Sequence, residues 1–285
     1  MRYQTDKDLR RALEERLRQR AEKDAQPIIR LRKRVVFERC IVRLQQNPES
    51  PWVLKGGFAL ELRLGDMARM TNDMDLSVDL ALFDSESTSV SILSERLRRD
   101  LQRENKDKFI FIVAEGKREL PTQGGKTFRF TVEARLDGRM FEAIKVDVGI
   151  GDPLIRPIEE IETSDLLSFA DIPIAKIRAT SRAQHFAEKV HALTRPFDDR
   201  INTRVKDLAD IILLFNRGLP DPATVRQCVQ DIFSARATHA RPSHIGPPPR
   251  TWASSYSAMA EELKLIETSL DNATGRLNDY WKTIF

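Results

Sequence analysis

Cysteine is nearly absent from these 285 residues. Cys40 and Cys228 are the only two, too few for a disulfide framework or a zinc site of their own. No stretch approaches the roughly 18 apolar residues that a membrane span requires, and the chain opens on charge rather than on the apolar run of a secretory leader. A Walker-type Gly-x-x-x-x-Gly-Lys, a paired-cysteine motif and a His-Glu-x-x-His are all missing. His185, His191, His239 and His244 show no metal-ligand spacing, and His191 reads as a helix-face residue rather than a base. There is no internal repeat, and no low-complexity tract beyond Pro247-Pro248-Pro249. What remains is a soluble globular composition, 41% hydrophobic and 32% charged, with a mean hydropathy of −0.43 in 32.7 kDa. That is room for one large domain or two small ones. A cytoplasmic protein with no membrane partner is the expectation.

The net charge of +4 conceals an asymmetry. Residues 1–46 carry fourteen Lys or Arg against seven Asp or Glu, a local net of +7, which leaves −3 for the rest. A basic segment ahead of a mildly acidic body suits a polyanionic partner, usually nucleic acid. It equally suits a solvated helix face whose arginines lie over their neighbours. The segment has no glycine and one proline. Leu9, Leu13 and Leu17 form a narrow apolar stripe on one helix, and Pro27 opens a second. Ile28, Leu31, Val35, Cys40, Ile41 and Leu44 supply that helix's broader buried face, with Cys40 as a core thiol.

After Asn47-Pro48 the character changes. Trp52–Leu54 reads as a short strand, and Gly56-Gly57 turns it into a helix over Phe58–Leu64. Met74–Leu80 alternates as a half-buried strand, Asp79 lying on its solvated face. A helix over Ser89–Gln102 and a strand over Phe109–Ala114 follow. Two longer strands, Thr127–Leu136 and Phe141–Ile150, are joined by Asp137-Gly138, a strong hairpin signal. Beyond Pro173 the strands stop, and Ser181–Leu193, Thr203–Phe215, Pro222–Phe233 and Ser255–Ile284 read as helices. His239–Pro249, with four prolines and two histidines, reads as a surface loop or a functional flap.

The chemistry concentrates around Lys55-Gly56-Gly57 and the run Arg69, Thr71, Asp73, Asp75. Two glycines at the mouth of a helix leave backbone N–H groups open beside a positive helix end, which receives phosphates. Asp73 and Asp75 lie two apart on a strand, so both carboxylates point to one face. Like charges so close need a cation between them. Magnesium, held by one or two carboxylates and substrate phosphates, suits the pair, and Mn²⁺ could replace it. Asp147, in Lys145-Val146-Asp147-Val148, is the candidate for a third ligand on a neighbouring strand. A second cluster follows: Lys189 turns away from the buried face of its helix, and Asp207 and Asp210, three apart, stand together on the next. A lysine–aspartate brace between two helices would look the same.

Gly-Gly before a helix, then Asp-x-Asp, then a strand carboxylate is similar to the polymerase-beta-like nucleotidyltransferases over about residues 50–150. Adding Ala187-x-Lys189-x-x-Ala192 and Lys206-Asp207-x-x-Asp210, the chain resembles the AbiEii/AbiGii-type, MenT-like nucleotidyltransferase toxins over about residues 50–215. One departure is Gly57, where many superfamily members have a serine hydroxyl. The resemblance implies an α+β fold in three parts: a basic helical arm over 1–48, a nucleotidyltransferase core with a mixed sheet over 49–175, and a helical C-terminal domain over 176–285. It also implies transfer of nucleotides from an NTP to RNA, in some members the 3′ end of tRNA, and an antitoxin partner. Asp73, Asp75, Lys189 and Asp210 are then the catalytic candidates, with Asp73, Asp75 and Asp147 on the metal. Lys55, Gly56, Gly57, Arg69, Thr71 and Asp207 are the nucleotide-binding candidates. Lys189 would neutralise phosphate charge, and Asp210 would orient it or take the acceptor's proton. Modification of a protein or small molecule, and a catalytically silent nucleic-acid-binding module, are the other readings.

Overall fold

The computed structural model of the chain describes residues 2–83, 89–120, 126–197 and 202–285. These residues fall into two compact units. A sheet unit comprises 1–63, 70–152 and 160–179, and a helical unit comprises 64–69, 153–159 and 180–285. Among the described residues no helix is long and apolar enough to cross a membrane.

The sheet unit begins with helices α1 (Asp6–Lys23) and α2 (Ile28–Leu44). Thr5 caps α1 by accepting the Asp8 N–H, and Pro27 stands immediately ahead of α2. The stripe Leu9, Leu13 and Leu17 is buried together with Leu31, Val35, Cys40, Ile41 and Leu44 in the hydrophobic core that also holds the sheet's inner face. The two basic helices are therefore core elements; Arg10 of α1 and Arg39 and Arg43 of α2 turn inward, whereas Lys7, Arg11, Arg16, Arg18, Arg20 and Lys23 stay exposed. Arg10 donates to three backbone carbonyls, those of Leu136 (2.8 Å), Arg139 (3.1 Å) and Met140 (3.1 Å). Arg39 and Arg43 both grip the buried Asp107, and Arg43 also donates to the Phe109 carbonyl at 2.8 Å. A carboxylate with no water contact needs such partners, and two guanidiniums supply them.

The strands are β1 (Trp52–Lys55), β2 (Asp73–Val78), β3 (Ile110–Leu120), β4 (Lys126–Leu136), β5 (Arg139–Ile150), β6 (Glu159–Glu162) and β7 (Lys176–Ala179). They form one mixed sheet in the order β3-β4-β5-β2-β1-β7-β6. β2 runs parallel to β5 and β1 parallel to β7. The hairpin turn between β4 and β5 is at Asp137-Gly138, both with positive φ (57° and 68°), the geometry an Asp-Gly turn favours. Helix α3 (Gly56–Leu64) follows β1 without a linking residue, and α4 (Val90–Leu101) is capped by Ser89. Asp79 is not solvated: it is buried, and its carboxylate caps the turn after β2 by accepting the Ala81 N–H.

Strands do not stop at Pro173. The four residues of β7 alternate Lys176, Ile177, Arg178, Ala179, too short a run to register as a period. Gln45, at the end of α2, accepts the Arg178 N–H at 2.6 Å and donates to its carbonyl at 2.8 Å, a side-chain amide standing in for a neighbouring strand.

The helical unit holds α5 (Arg182–Thr194), α6 (Val205–Arg217), α7 (Pro222–Arg236), α8 (Ala253–Glu262) and α9 (Leu270–Ile284). The expected single helix over Ser255–Ile284 is two. Lys264 takes a left-handed φ of 53°, its N–H bonds the Glu261 carbonyl, and the Leu265 N–H bonds the Ala260 carbonyl at 2.8 Å. That is a Schellman cap, completed without glycine because Leu263 and Leu265 are buried beside it. The proline-rich segment 239–249 is strapped down. Ile245 exchanges both backbone hydrogen bonds with the Asn278 amide, and the Trp281 indole donates to the Pro242 carbonyl at 3.2 Å.

Candidate active site

Two charged clusters account for the candidate residues, one in each unit. In the sheet unit the strand register builds the first. Lys55 pairs with Asp75, Asp75 with Asp147, and Asp147 with Arg129. Four neighbouring strands, β1, β2, β5 and β4, thus present a row of charge in the order plus, minus, minus, plus. Neighbours in such a row stand about 4.8 Å apart. Asp73, two residues before Asp75, adds a third carboxylate to the same face.

Arg129 knits the carboxylates together. Its Nε donates to Asp147 Oδ1 at 2.7 Å, and its Nη2 donates to Asp147 Oδ2 at 2.6 Å and to Asp73 Oδ2 at 2.9 Å. Hydrogen bonding to Asp147 holds the guanidinium firmly protonated against partial burial, and the fields of Asp147, Asp73 and Asp75 add to it. Lys55 pairs with Asp152, and both side chains pass over Gly149. A Cβ there would lie 2.7 Å from Asp152 Oδ2 and 2.9 Å from Lys55 Nζ.

Gly56 is required twice over: its φ is 66°, and a Cβ would overlap the Asp75 carboxylate. The first turn of α3, with Gly57 next in line, therefore starts directly against Asp75, and its N–H groups are the ones a helix leaves without intrahelical partners. Thr71 donates its hydroxyl to the Asp73 carbonyl at 3.2 Å and is almost buried. Its local role is to shape the entry to β2.

Among the described residues no three carboxylate, imidazole or thiol groups converge on one cation position. The oxygen donors of Asp73 and Asp75, sharing one face of β2, have the chemistry of a magnesium site that expects phosphate oxygens as further ligands. Asp147 differs: both of its oxygens accept from Arg129.

The second cluster belongs to the helical unit. Lys189 on α5 donates to Asp207 Oδ1 and Asp210 Oδ2 on α6, each at 2.7 Å. Arg69 binds Asp210 through two parallel bonds, Nε to Oδ1 at 2.8 Å and Nη2 to Oδ2 at 2.9 Å. Arg69 thus sits on Asp210, not with the glycine turn with which its sequence position grouped it. Burial pushes the Asp210 carboxyl up, but Lys189 and Arg69 overcome it and bring the pKa down to about 2. The same two carboxylates hold Lys189 charged despite its own burial. In front lies a cavity of about 440 Å³ lined by Arg69, Lys189, Arg195, Arg204 and Lys206, with Asp207 and the Phe197 ring. The guanidinium of Arg195 lies 4.9 Å from the Phe197 ring centre. His191 is buried beside α7, its Nε2 3.0 Å from the Thr238 hydroxyl.

Sequence reasoning missed Arg129, Asp152 and Arg204. An arginine between two phenylalanines in an alternating strand looks like an ordinary outward-facing residue, and only the register opposite Asp147 distinguishes it.

A mixed sheet that carries an Asp-x-Asp strand beside a glycine-initiated helix is the arrangement that the resemblance to nucleotidyltransferases implied. Residues 39–279 match the model of the family described as nucleotidyl transferase AbiEii toxin, type IV toxin–antitoxin system. The chain belongs to that family, and its activity class is nucleotidyl transfer within a system that includes an antitoxin. No curated protein matches it. Among solved structures it is similar to an antigenic nucleotidyltransferase-like protein from Paracoccidioides brasiliensis, at 15% identity and a TM-score of 0.35, over 67% of this chain and 86% of that one.

Proposed function

We propose that this toxin transfers nucleotides from a metal-bound NTP to an RNA acceptor, with the 3′ end of tRNA as the first candidate. The observation that carries the reading is the pairing of Asp73 and Asp75 on one face of β2 with the first turn of α3, where Gly56 abuts Asp75. Asp73 and Asp75 hold Mg²⁺ or Mn²⁺, and the N–H groups at Gly56 and Gly57 receive phosphate oxygens. The cation, when bound, neutralises charge building on the triphosphate. Lys55 adds positive charge beside Asp75, and transfer then depends on positioning and electrostatics rather than on covalent chemistry by the protein. Asp210 orients Lys189. A carboxyl near pKa 2 whose oxygens both accept from cations is a poor proton acceptor at neutral pH. The cationic cavity of the helical unit, with an aromatic ring in its wall, supports RNA as the acceptor.

The test is incubation of the purified chain with each labelled NTP, magnesium and total tRNA, with EDTA and Asp75→Ala as controls. Label on RNA that needs both the metal and Asp75 is the expected result. Label on protein would replace RNA with a protein acceptor, and no label in any arm would leave a binding module.

A further inference from the structure

The acid row of the sheet unit contains a cation of its own. Asp73, Asp75 and Asp147 share one face on two adjacent strands, and Arg129 comes to that face from β4 in register with Asp147. Its contacts are unequal. Asp147 receives two parallel bonds, the strong bidentate form, whereas Asp73 receives a single bond from the Nη2 already shared with Asp147. Exposure is unequal too: the Asp147 side chain is 9% exposed and the Asp73 side chain 33%. Asp147 is the anchor, and Asp73 is the partner that can be given up.

We infer that Arg129 is the resident counter-cation of the acid row, and that it makes divalent-cation binding conditional on nucleotide. This rests on reading Asp73 and Asp75 as the cation ligands. A divalent ion arriving alone must share Asp73 with Arg129 and remain beside that guanidinium, a repulsion that Asp73, Asp75 and Asp147 offset only in part. An ion arriving with a triphosphate brings several negative charges, which neutralise that repulsion and offer the released N–H a phosphate oxygen in place of Asp73. Asp147 keeps Arg129 in place throughout and is an anchoring residue, not a third ligand. Arg129 is accordingly a positioning residue for the cation.

The experiment measures Mn²⁺ binding to the full chain by the EPR signal of the free ion. It is done first with MnCl₂ alone and then with the α,β-methylene analogues of the four NTPs. Wild type should bind Mn²⁺ weakly alone and more tightly with an accepted analogue. In R129M the affinity for Mn²⁺ alone should rise about tenfold, toward the lower end of typical coupling between linked sites. The gain from nucleotide should shrink by the same factor. R129K keeps the charge but cannot make two parallel bonds to Asp147 while reaching Asp73, so it should tighten Mn²⁺ binding less than R129M. Melting curves without metal check folding, and R129K carries the test if R129M does not fold. Mn²⁺ affinity in both variants equal to or weaker than wild type would overturn the inference. If D73N and D75N leave Mn²⁺ binding unchanged in wild type, the metal site itself is misassigned, a separate failure.

Discussion

In the sheet unit, Asp73 and Asp147 share a guanidinium on an open sheet face, with Asp73 33% and Arg129 27% exposed. In the helical unit, Asp210 is completely buried between Lys189 and Arg69. The side-chain chemistry is the same, carboxylate against cation, but the consequences differ. An open pair contributes little to stability because water competes for both partners, so its bonds can be exchanged for those of an incoming ligand. A sealed pair cannot be opened without stranding a charge, which makes it a fixed mount. The arrangement suits a division of labour in which the open row exchanges ligands and the sealed cluster holds a lysine still.

Breaking the open row should therefore cost activity and spare the fold. Asp75→Ala is expected to lower nucleotide transfer by at least about a thousandfold, comparable to the loss of a principal electrostatic group in other active sites. Its melting temperature should stay near that of wild type, because removing one of several crowded carboxylates relieves repulsion. Wild-type transfer rates at saturating magnesium would end the assignment of the row.

Breaking the sealed cluster should cost the fold as well. Asp210→Asn removes the carboxylate that Lys189 and Arg69 share, leaving Asp207 alone to balance the buried Lys189, and should destabilise the protein by roughly 3–5 kcal/mol. In a chain of this size that is a fall of about 10 °C in melting temperature. A melting curve that overlays wild type would erase the distinction between the clusters. The pH dependence sharpens it. Because the native pKa of Asp210 is about 2 against an ordinary 3.8, folding favours the charged form. The resulting stabilisation, on the order of 2 kcal/mol, is complete above the ordinary value and is lost as pH falls through the native one. Urea unfolding between pH 5 and pH 2 should show this loss in wild type and not in Asp210→Asn.

Gly56→Ala tests the contact between α3 and Asp75. The left-handed φ and the overlap with the carboxylate together should cost about 1–3 kcal/mol and displace Asp75. Activity should fall more than stability does. An alanine variant as active as wild type would mean that α3 can move away from Asp75 without consequence for the reaction.

The smallest effects lie on α1 and separate inward from outward charge. Arg10→Ala abandons three carbonyls and should cost about 1–2 kcal/mol. Arg18→Ala loses only an exposed pair with Glu15 and should cost less than about 0.5 kcal/mol. Equal losses in denaturant midpoints would show that Arg10 is no more embedded than Arg18.

The local elements were legible from the chain alone, because their signals repeat within a few residues. The Leu9, Leu13, Leu17 stripe, the Asp137-Gly138 turn, the same-face placement of Asp73 and Asp75, and the i,i+3 partnership of Asp207 with Asp210 all follow from helix and strand periods. A contact of Lys189 with Asp207 and Asp210 was one of the arrangements this spacing allowed, and both bonds are 2.7 Å. What only the tertiary structure decided is pairing over long sequence distances. It set β7 beside β1, turned Arg10 toward the hairpin carbonyls and Arg39 and Arg43 toward Asp107, moved Arg69 onto Asp210, and aligned Lys55, Asp75, Asp147 and Arg129 in one row. Strand order and register carry no local signature. They are chosen by the burial and hydrogen bonding of the whole sheet, so a residue such as Arg129 acquires its meaning only when a strand eighteen positions away comes to lie beside it.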